Sequence, residues 1–149
     1  ALRALSPGIN DPTTATTCID RLAEVLVRLG NRNLPDLVEK REDGQLVLIA
    51  TTVSFESAAS VCFVQIGHHV AEHPTLACHL LTTLGAVATS LTPERRATLT
   101  SQAQQILHAA LQRTDQARDR NALEWASRWI RSGPEASHSA SQQADYRPK

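Results

Sequence analysis

The chain has 149 residues, and its 15 Lys and Arg balance 15 Asp and Glu, so its formal net charge is zero. A length of this kind is one domain able to bury a core without metal or disulfide staples, and the neutral balance excludes the simple electrostatic case for nucleic-acid or anionic-membrane binding, since both rest on a net positive field. Aromatic residues at 3% disfavour a sandwich or barrel, while 42% hydrophobic and 20% charged residues fit an ordinary globular chain. No methionine occurs, which suggests a piece of a longer protein, and no apolar run reaches the roughly 18 residues of a membrane span. The expected organisation is a soluble helical domain over residues 1–131 and a disordered tail over 132–149, rich in Ser, Gln and Ala. Cys18, Cys62 and Cys78 are odd in number and scattered, which suits reduced, buried thiols in the cytoplasm better than a disulfide framework.

In chain order, Ala1–Leu5 reads as the last turn of a helix stopped by Ser6-Pro7-Gly8. Asp11-Pro12 then starts a helix, with Asp11 as cap and Pro12 where a missing N–H costs nothing. Ala15, Cys18, Ile19, Leu22, Leu26 and Leu29 form its apolar face up to Gly30, with Glu24 and Arg28 paired outside it. Pro35 blocks a helix, and Val38–Arg41, Asp43-Gly44 and Leu46–Ile49 read as a small β-hairpin lying on the helices or extending a sheet. From Ser54 onward the period is helical. Phe55, Ala58, Ala59, Cys62, Ile66, His69 and Val70 share one face, and His73-Pro74 separates this helix from the next, whose stripe is Ala77, Leu80, Leu81, Leu84, Ala88 and Leu91. Thr92-Pro93-Glu94 opens a fourth helix through Leu99, Ala103, Ile106, Leu107 and Ala110, with Thr92 as capping hydroxyl. Asp115 is placed to cap a fifth helix carrying Leu123, Ala126 and Ile130. The expected fold is an all-α bundle of about five helices with one small hairpin.

His69-Val70-Ala71-Glu72-His73 spells HxxEH, the order of zinc ligands and general base in inverted zinc peptidases. On one helix, spacing i,i+4 would bring His69 and His73 to one metal with Glu72 activating a water. Pro74 directly after the second His argues against this, and the plainer reading is polar groups finishing an amphipathic helix. A structural zinc site from Cys62, His69, His73 and Cys78 or His79 lacks the paired short knuckles such sites need, and core packing of the thiols is the simpler account. Arg95, Arg96, Arg113, Arg118, Arg120, Arg128 and Arg131 fall in the last two helices, but Glu94, Asp115, Asp119 and Glu124 are interleaved, as on a solvated, ion-paired face. Trp125 and Trp129, at i,i+4, fit either an interface anchor or the lid of the core. The segment Ser6–Thr13 reads as a tight connection between helices, or as a pocket in which Asn10, Asp11 and Thr13 meet Arg3 or Arg21.

The run Ala1-Leu2-Arg3-Ala4-Leu5-Ser6-Pro7-Gly8-Ile9-Asn10-Asp11-Pro12, followed by Thr14-Ala15, Asp20-Arg21-Leu22, Asp43-Gly44, Ser54-Phe55-Glu56, Gln65-Ile66 and Thr92-Pro93-Glu94-Arg95-Arg96, resembles the bacterial predicted membrane proteins grouped as domain of unknown function 2254. The resemblance covers most of residues 1–113. It implies the C-terminal soluble part of a protein whose N-terminal part has several spanning helices and then a mostly β segment. The family has no activity to carry over. After Phe63 the sequence departs from the family pattern, with Val64, Gly67 and His69 where an acidic residue, an arginine and a tyrosine are expected, so HxxEH is not a family feature.

Together these readings expect a non-enzymatic assembly or ligand-sensing module, on the cytoplasmic side of a cell-membrane protein. No cofactor is implied. The expected partners are a second copy of the chain, the upstream spanning and β segments and an unidentified small ligand, with no nucleic acid. The alternative is a zinc-dependent hydrolase using His69, Glu72 and His73.

Overall fold

The computed structural model describes residues 1–6, 11–32, 38–40, 46–49 and 53–131. The first helix, α1, runs Pro12–Gly30. Asp11 starts it: its carboxylate accepts hydrogen bonds from the Thr14 amide (3.1 Å) and the Thr14 hydroxyl (2.5 Å), filling part of the unpaired first turn. The Thr14 hydroxyl first, and the Thr14 amide second, hold the Asp11 carboxyl below the usual carboxylate range. The Asp11 amide in turn donates to the Ala4 carbonyl at 2.8 Å, tying the N-terminal turn to the helix, and Ala4 and Leu5 are buried.

Four more helices follow among the described residues: α2 (Phe55–Val70), α3 (Pro74–Thr89), α4 (Pro93–Arg113) and α5 (Ala117–Ala126), the last continued by a 3-10 turn at Arg128–Ile130. The fold class is thus an all-α bundle. Two short strands, β1 (Val38–Lys40) and β2 (Leu46–Ile49), pair antiparallel with Val38 opposite Ile49 and a register shift between Glu39 and Lys40. The Asp43-Gly44 turn expected between them lies outside the described residues, as do Pro7–Asn10, Pro35 and the tail at 132–149, so the small hairpin expected from the sequence is not supported as a part of the fold, which is the helical bundle.

α3 is the centre of the bundle and packs against α1, α2, α4 and α5. Its composition requires this, because Leu76, Ala77, Leu80, Leu81, Leu84, Gly85, Val87 and Ala88 are all buried and only the two ends and one flank carry polar groups. Close approach is secured at two glycines by the lack of a side chain. A Cβ on Gly67 would lie 2.7 Å from Ile106 Cγ1, where α2 meets α4. A Cβ on Gly85 would lie 2.7 Å from Trp129 Cδ1, and in that space the Trp129 indole lies against α3 and donates from Nε1 to the Leu81 carbonyl at 2.9 Å. At the far end of α1, Arg95 donates to the carbonyls of Gly30 (2.6 Å) and Arg32 (3.1 Å), satisfying acceptors that a helix C-terminus leaves open. The same guanidinium lies 5.6 Å from the ring centre of Phe55, the buried first residue of α2. These contacts show that α1 and α3 run in one direction, with α2 and α4 in the other.

Several local expectations are corrected. Asp115 does not cap α5; Gln116 holds the cap position and offers no side-chain bond. Thr92 stands at the cap of α4 without a side-chain cap bond; its hydroxyl binds Glu94, which, after the Glu94 amide, helps hold that carboxyl low. Glu24 pairs with Arg21 at 2.9 Å and not with Arg28. His69 is exposed, and Phe63 with Gly67 takes the place expected for it on the buried face of α2. Trp125 and Trp129 do not share a helix, since α5 ends at Ala126.

Two predictions follow from this architecture. Gly85→Ala displaces the Trp129 ring and lowers stability by about 1–3 kcal/mol, the usual range for overpacking, with a red shift of tryptophan emission; an unchanged spectrum and unfolding midpoint would contradict the packing described. Asp11→Ala lowers the melting temperature at neutral pH, whereas Asp11→Asn, itself a good cap, restores most of it. Because folding depresses the Asp11 pKa, its contribution is present above the unfolded carboxylate value and fades as pH falls through the folded one. The gap between wild type and Asp11→Ala therefore narrows below about pH 4, as measured by thermal unfolding across an acid series.

Candidate functional site

α1 and α3 run in parallel, so their N-termini lie at the same end of the bundle, beside the link from α2 to α3. Between them is a cleft of about 310 Å³ lined by Pro12, Thr13, Thr16, His73, Pro74, Thr75 and Leu76. Both helices carry proline in the first turn, and neither has an acidic residue there. The two starts differ in one respect. Asp11 caps α1, but His73, at the cap position of α3, makes no side-chain cap bond, which leaves the first-turn amides of α3 without that acceptor. The cleft thus offers the hydroxyls of Thr13, Thr16 and Thr75, the His73 imidazole and the positive ends of two helix dipoles, with no carboxylate in its lining. Pro12, Pro74 and Leu76 give it apolar walls.

Of the five residues expected to form a pocket, Thr13 lines this cleft. Asp11 adjoins it, with its carboxylate committed to Thr14. Arg21 is exposed and paired with Glu24, two turns further along α1. Arg3 is exposed on the N-terminal turn, and Asn10 lies outside the described residues. Thr16, Thr75 and Leu76 were not anticipated. A signal for Thr75 does exist in the sequence, because Asp11-Pro12-Thr13 and His73-Pro74-Thr75 share one pattern of cap, proline and threonine.

The HxxEH segment straddles two helices. His69 is in the last turn of α2, Glu72 is exposed in the connecting turn, and His73 is the cap residue of α3. The single helical face that the zinc arrangement requires is absent, and no group of three His, Cys, Asp or Glu among the described residues is placed to hold a metal. Cys18, Cys62 and Cys78 are free thiols, each partly buried. Burial pushes the Cys62 thiol up, and burial followed by the charge of Asp119 does the same for Cys78, so both favour the protonated form that neither attacks substrates nor binds metal. His79, next to Cys78 in α3, has its Nε2 2.7 Å from Asp20 Oδ1 of α1 and links those two helices on the flank of the bundle.

A second depression, between α2 and α4, holds about 50 Å³ and is lined by Phe63, Val64, His68 and Gln102 among others. Gln102 Oε1 is buried there without a hydrogen-bond partner. The space admits little beyond a water-sized group. The paired tryptophans have separate surroundings: Trp129 covers the core, and Trp125 is 62% exposed with Arg128 stacked 4.1 Å from its ring centre.

Among the described residues no helix is long and apolar enough to cross a membrane. Residues 1–86 match the model of a family described as predicted membrane protein, DUF2254. Uncharacterized proteins of Mycobacterium bovis and Mycobacterium tuberculosis are 36% identical over 111 residues, which is 74% of this chain. The matched stretch is 21% of each relative, so the chain corresponds to about a fifth of those proteins. No solved structure matches it. The match over more than half of its length establishes that this chain belongs to the DUF2254 family of predicted membrane proteins.

Proposed function

We propose that the bundle is a non-enzymatic ligand-sensing module on the cytoplasmic side of a membrane protein, and that the cleft between the α1 and α3 N-termini takes its ligand. The observation that carries this reading is the convergence of two helix N-termini on one space of about 310 Å³ whose polar lining is donor-rich and free of carboxylates. That volume is at the lower end of small-molecule sites. Hydroxyls, amides and an imidazole in this arrangement suit a small ligand rich in acceptors, such as a carboxylate or phosphate group. The lining has no nucleophile paired with a base, the pattern that acyl or phosphoryl transfer would require. Binding between α1 and α3 would act on the rest of the protein through any difference in cleft width between two states. Three free thiols support a reducing compartment.

Two measurements test the reading. In an amide NMR titration with inorganic phosphate and with acetate, shifts are expected to cluster at Thr13, Thr16, Thr75 and Leu76. They should shrink in Thr75→Val, which keeps the helix and removes a donor; shifts scattered over the surface, or none, would remove the cleft from consideration. For the hydrolase alternative, zinc analysis of the purified chain before and after His69→Ala is expected to show no His69-dependent metal. One equivalent of zinc lost in both His69→Ala and His73→Ala would reinstate that alternative.

A further inference from the structure

We infer that the outer face shared by α2 and α4 is a two-fold contact between copies of this chain. Residues 57–71, which run along α2, and 97–112, which run along α4, include no Asp, Glu, Lys or Arg, so all 15 cationic and all 15 anionic residues of the chain lie elsewhere. Burial accounts for such neutrality in α3. It does not do so here, because α2 and α4 pack side by side with one flank against the bundle and the other open. The open side of α2 carries Ser57, Val61, Val64 and His68, at the i, i+4, i+7, i+11 spacing of one helical face, and the open side of α4 carries Ser101 and Gln105. All six are exposed, Val61 to 82%. The open side of α1 is the contrast, since it holds Asp20, Arg21, Glu24 and Arg28, the mixture of both signs usual on a water-facing helix.

Charge, shape and size select a second copy as the occupant. The face offers nothing for an acidic or a basic partner to pair with, whereas two such faces meet without like-charge repulsion and without burying an ion. Depletion of charge is what marks the centre of an interface. Protrusion and hole also lie on the same surface: Val61 stands out from α2, and further along the helix Val64, Gly67 and His68 border the depression of about 50 Å³ against α4, room for one methyl branch. An isologous pair uses such a combination twice, each copy giving the protrusion and receiving the other's. The polar part is complementary to itself as well, because the Ser101 hydroxyl and the Gln105 carboxamide both donate and accept. From the rise per residue and the spacing of packed helices, the uncharged face measures about 22 Å by 18 Å. That is a footprint of about 400 Å² on each copy, the low end of a specific contact, so the association is weak and the chain exchanges between monomer and dimer.

The test is sedimentation equilibrium of the whole chain over a wide range of concentration. The mass is expected to rise from that of the monomer toward twice that value, with little response to added salt because no ion pair crosses the contact. Val61→Glu and Gln105→Glu each place a carboxylate without a partner in the contact, and each should raise the dissociation constant by at least about tenfold. Helical circular dichroism should be unchanged in both, since both side chains are exposed. Val25→Glu, an equally exposed valine on α1, is the control and should leave the dissociation constant as it is. Three outcomes would overturn the inference: a mass that stays monomeric throughout, which would leave the face to another part of the longer protein; a dimer indifferent to Val61→Glu and Gln105→Glu; or a dimer weakened as much by Val25→Glu. The residues of the α1–α3 cleft take no part in this contact, so the two proposals stand or fall separately.

Discussion

The structure depends on the burial of α3. Pro74–Thr89 contains no Asp, Glu, Lys or Arg, and a helix with that composition is stable in water only when other elements cover most of its circumference. α1, α2, α4 and α5 do so, and their amphipathic patterns can be understood as the outer half of this arrangement. Where α3 lacks a side chain, at Gly85, the covering element comes close enough for the Trp129 indole to reach the Leu81 carbonyl. Where it carries an imidazole, at His79, a partner on α1 stands within hydrogen-bonding distance. The C-terminal 3-10 turn is therefore part of the core's closure, although its sequence has no apolar periodicity of its own.

Placing α3 in the middle also decides what the two ends of the bundle can do. At one end Arg95 gathers the C-terminus of α1 and the start of α2 onto the start of α4, using its charge to satisfy carbonyls that would otherwise face solvent. At the other end the N-termini of α1 and α3 leave donors, and a cleft remains between them. At the C-terminus of α1 two carbonyls are satisfied by Arg95, whereas at the N-terminus of α3 His73 makes no side-chain cap bond. On the proposed reading, an outside group with acceptor atoms would meet the first-turn amides of α3 together with the hydroxyls of Thr13, Thr16 and Thr75 in the cleft.

Most of the helices and much of the core were legible in the sequence because burial imposes a 3.6-residue period on leucines and alanines. The proline-marked starts of α1, α3 and α4 were legible as well, since proline is tolerated at a first turn. The misses have physical causes. Gly67 escapes the periodic reading of α2 because glycine carries no hydropathy signal, whereas Phe63, at i+4 from Ala59, follows the period and was passed over for its neighbour Cys62. Ion-pair partners such as Arg21–Glu24 depend on rotamers at exposed sites, where alternatives differ by tenths of a kcal/mol. HxxEH is a spacing argument that holds only within one continuous helix, and Pro74 already signalled that the helix stops. The cleft joins residues about 60 positions apart, and no local pattern encodes which two helix starts will meet.

The parallel course of α1 and α3 makes their relative position the variable to which a ligand in the cleft would be most sensitive. Arg95 fixes the distal end of α1, and Asp20 with His79 restrains its middle. The end at Thr13 and Thr75 is where the N-terminal turn joins α1, through the bond from the Asp11 amide to the Ala4 carbonyl. The physical demand on any ligand is modest: a few hydrogen bonds that form in one width and not in another give a coupling of about 1–3 kcal/mol, the range in which allosteric effects ordinarily lie.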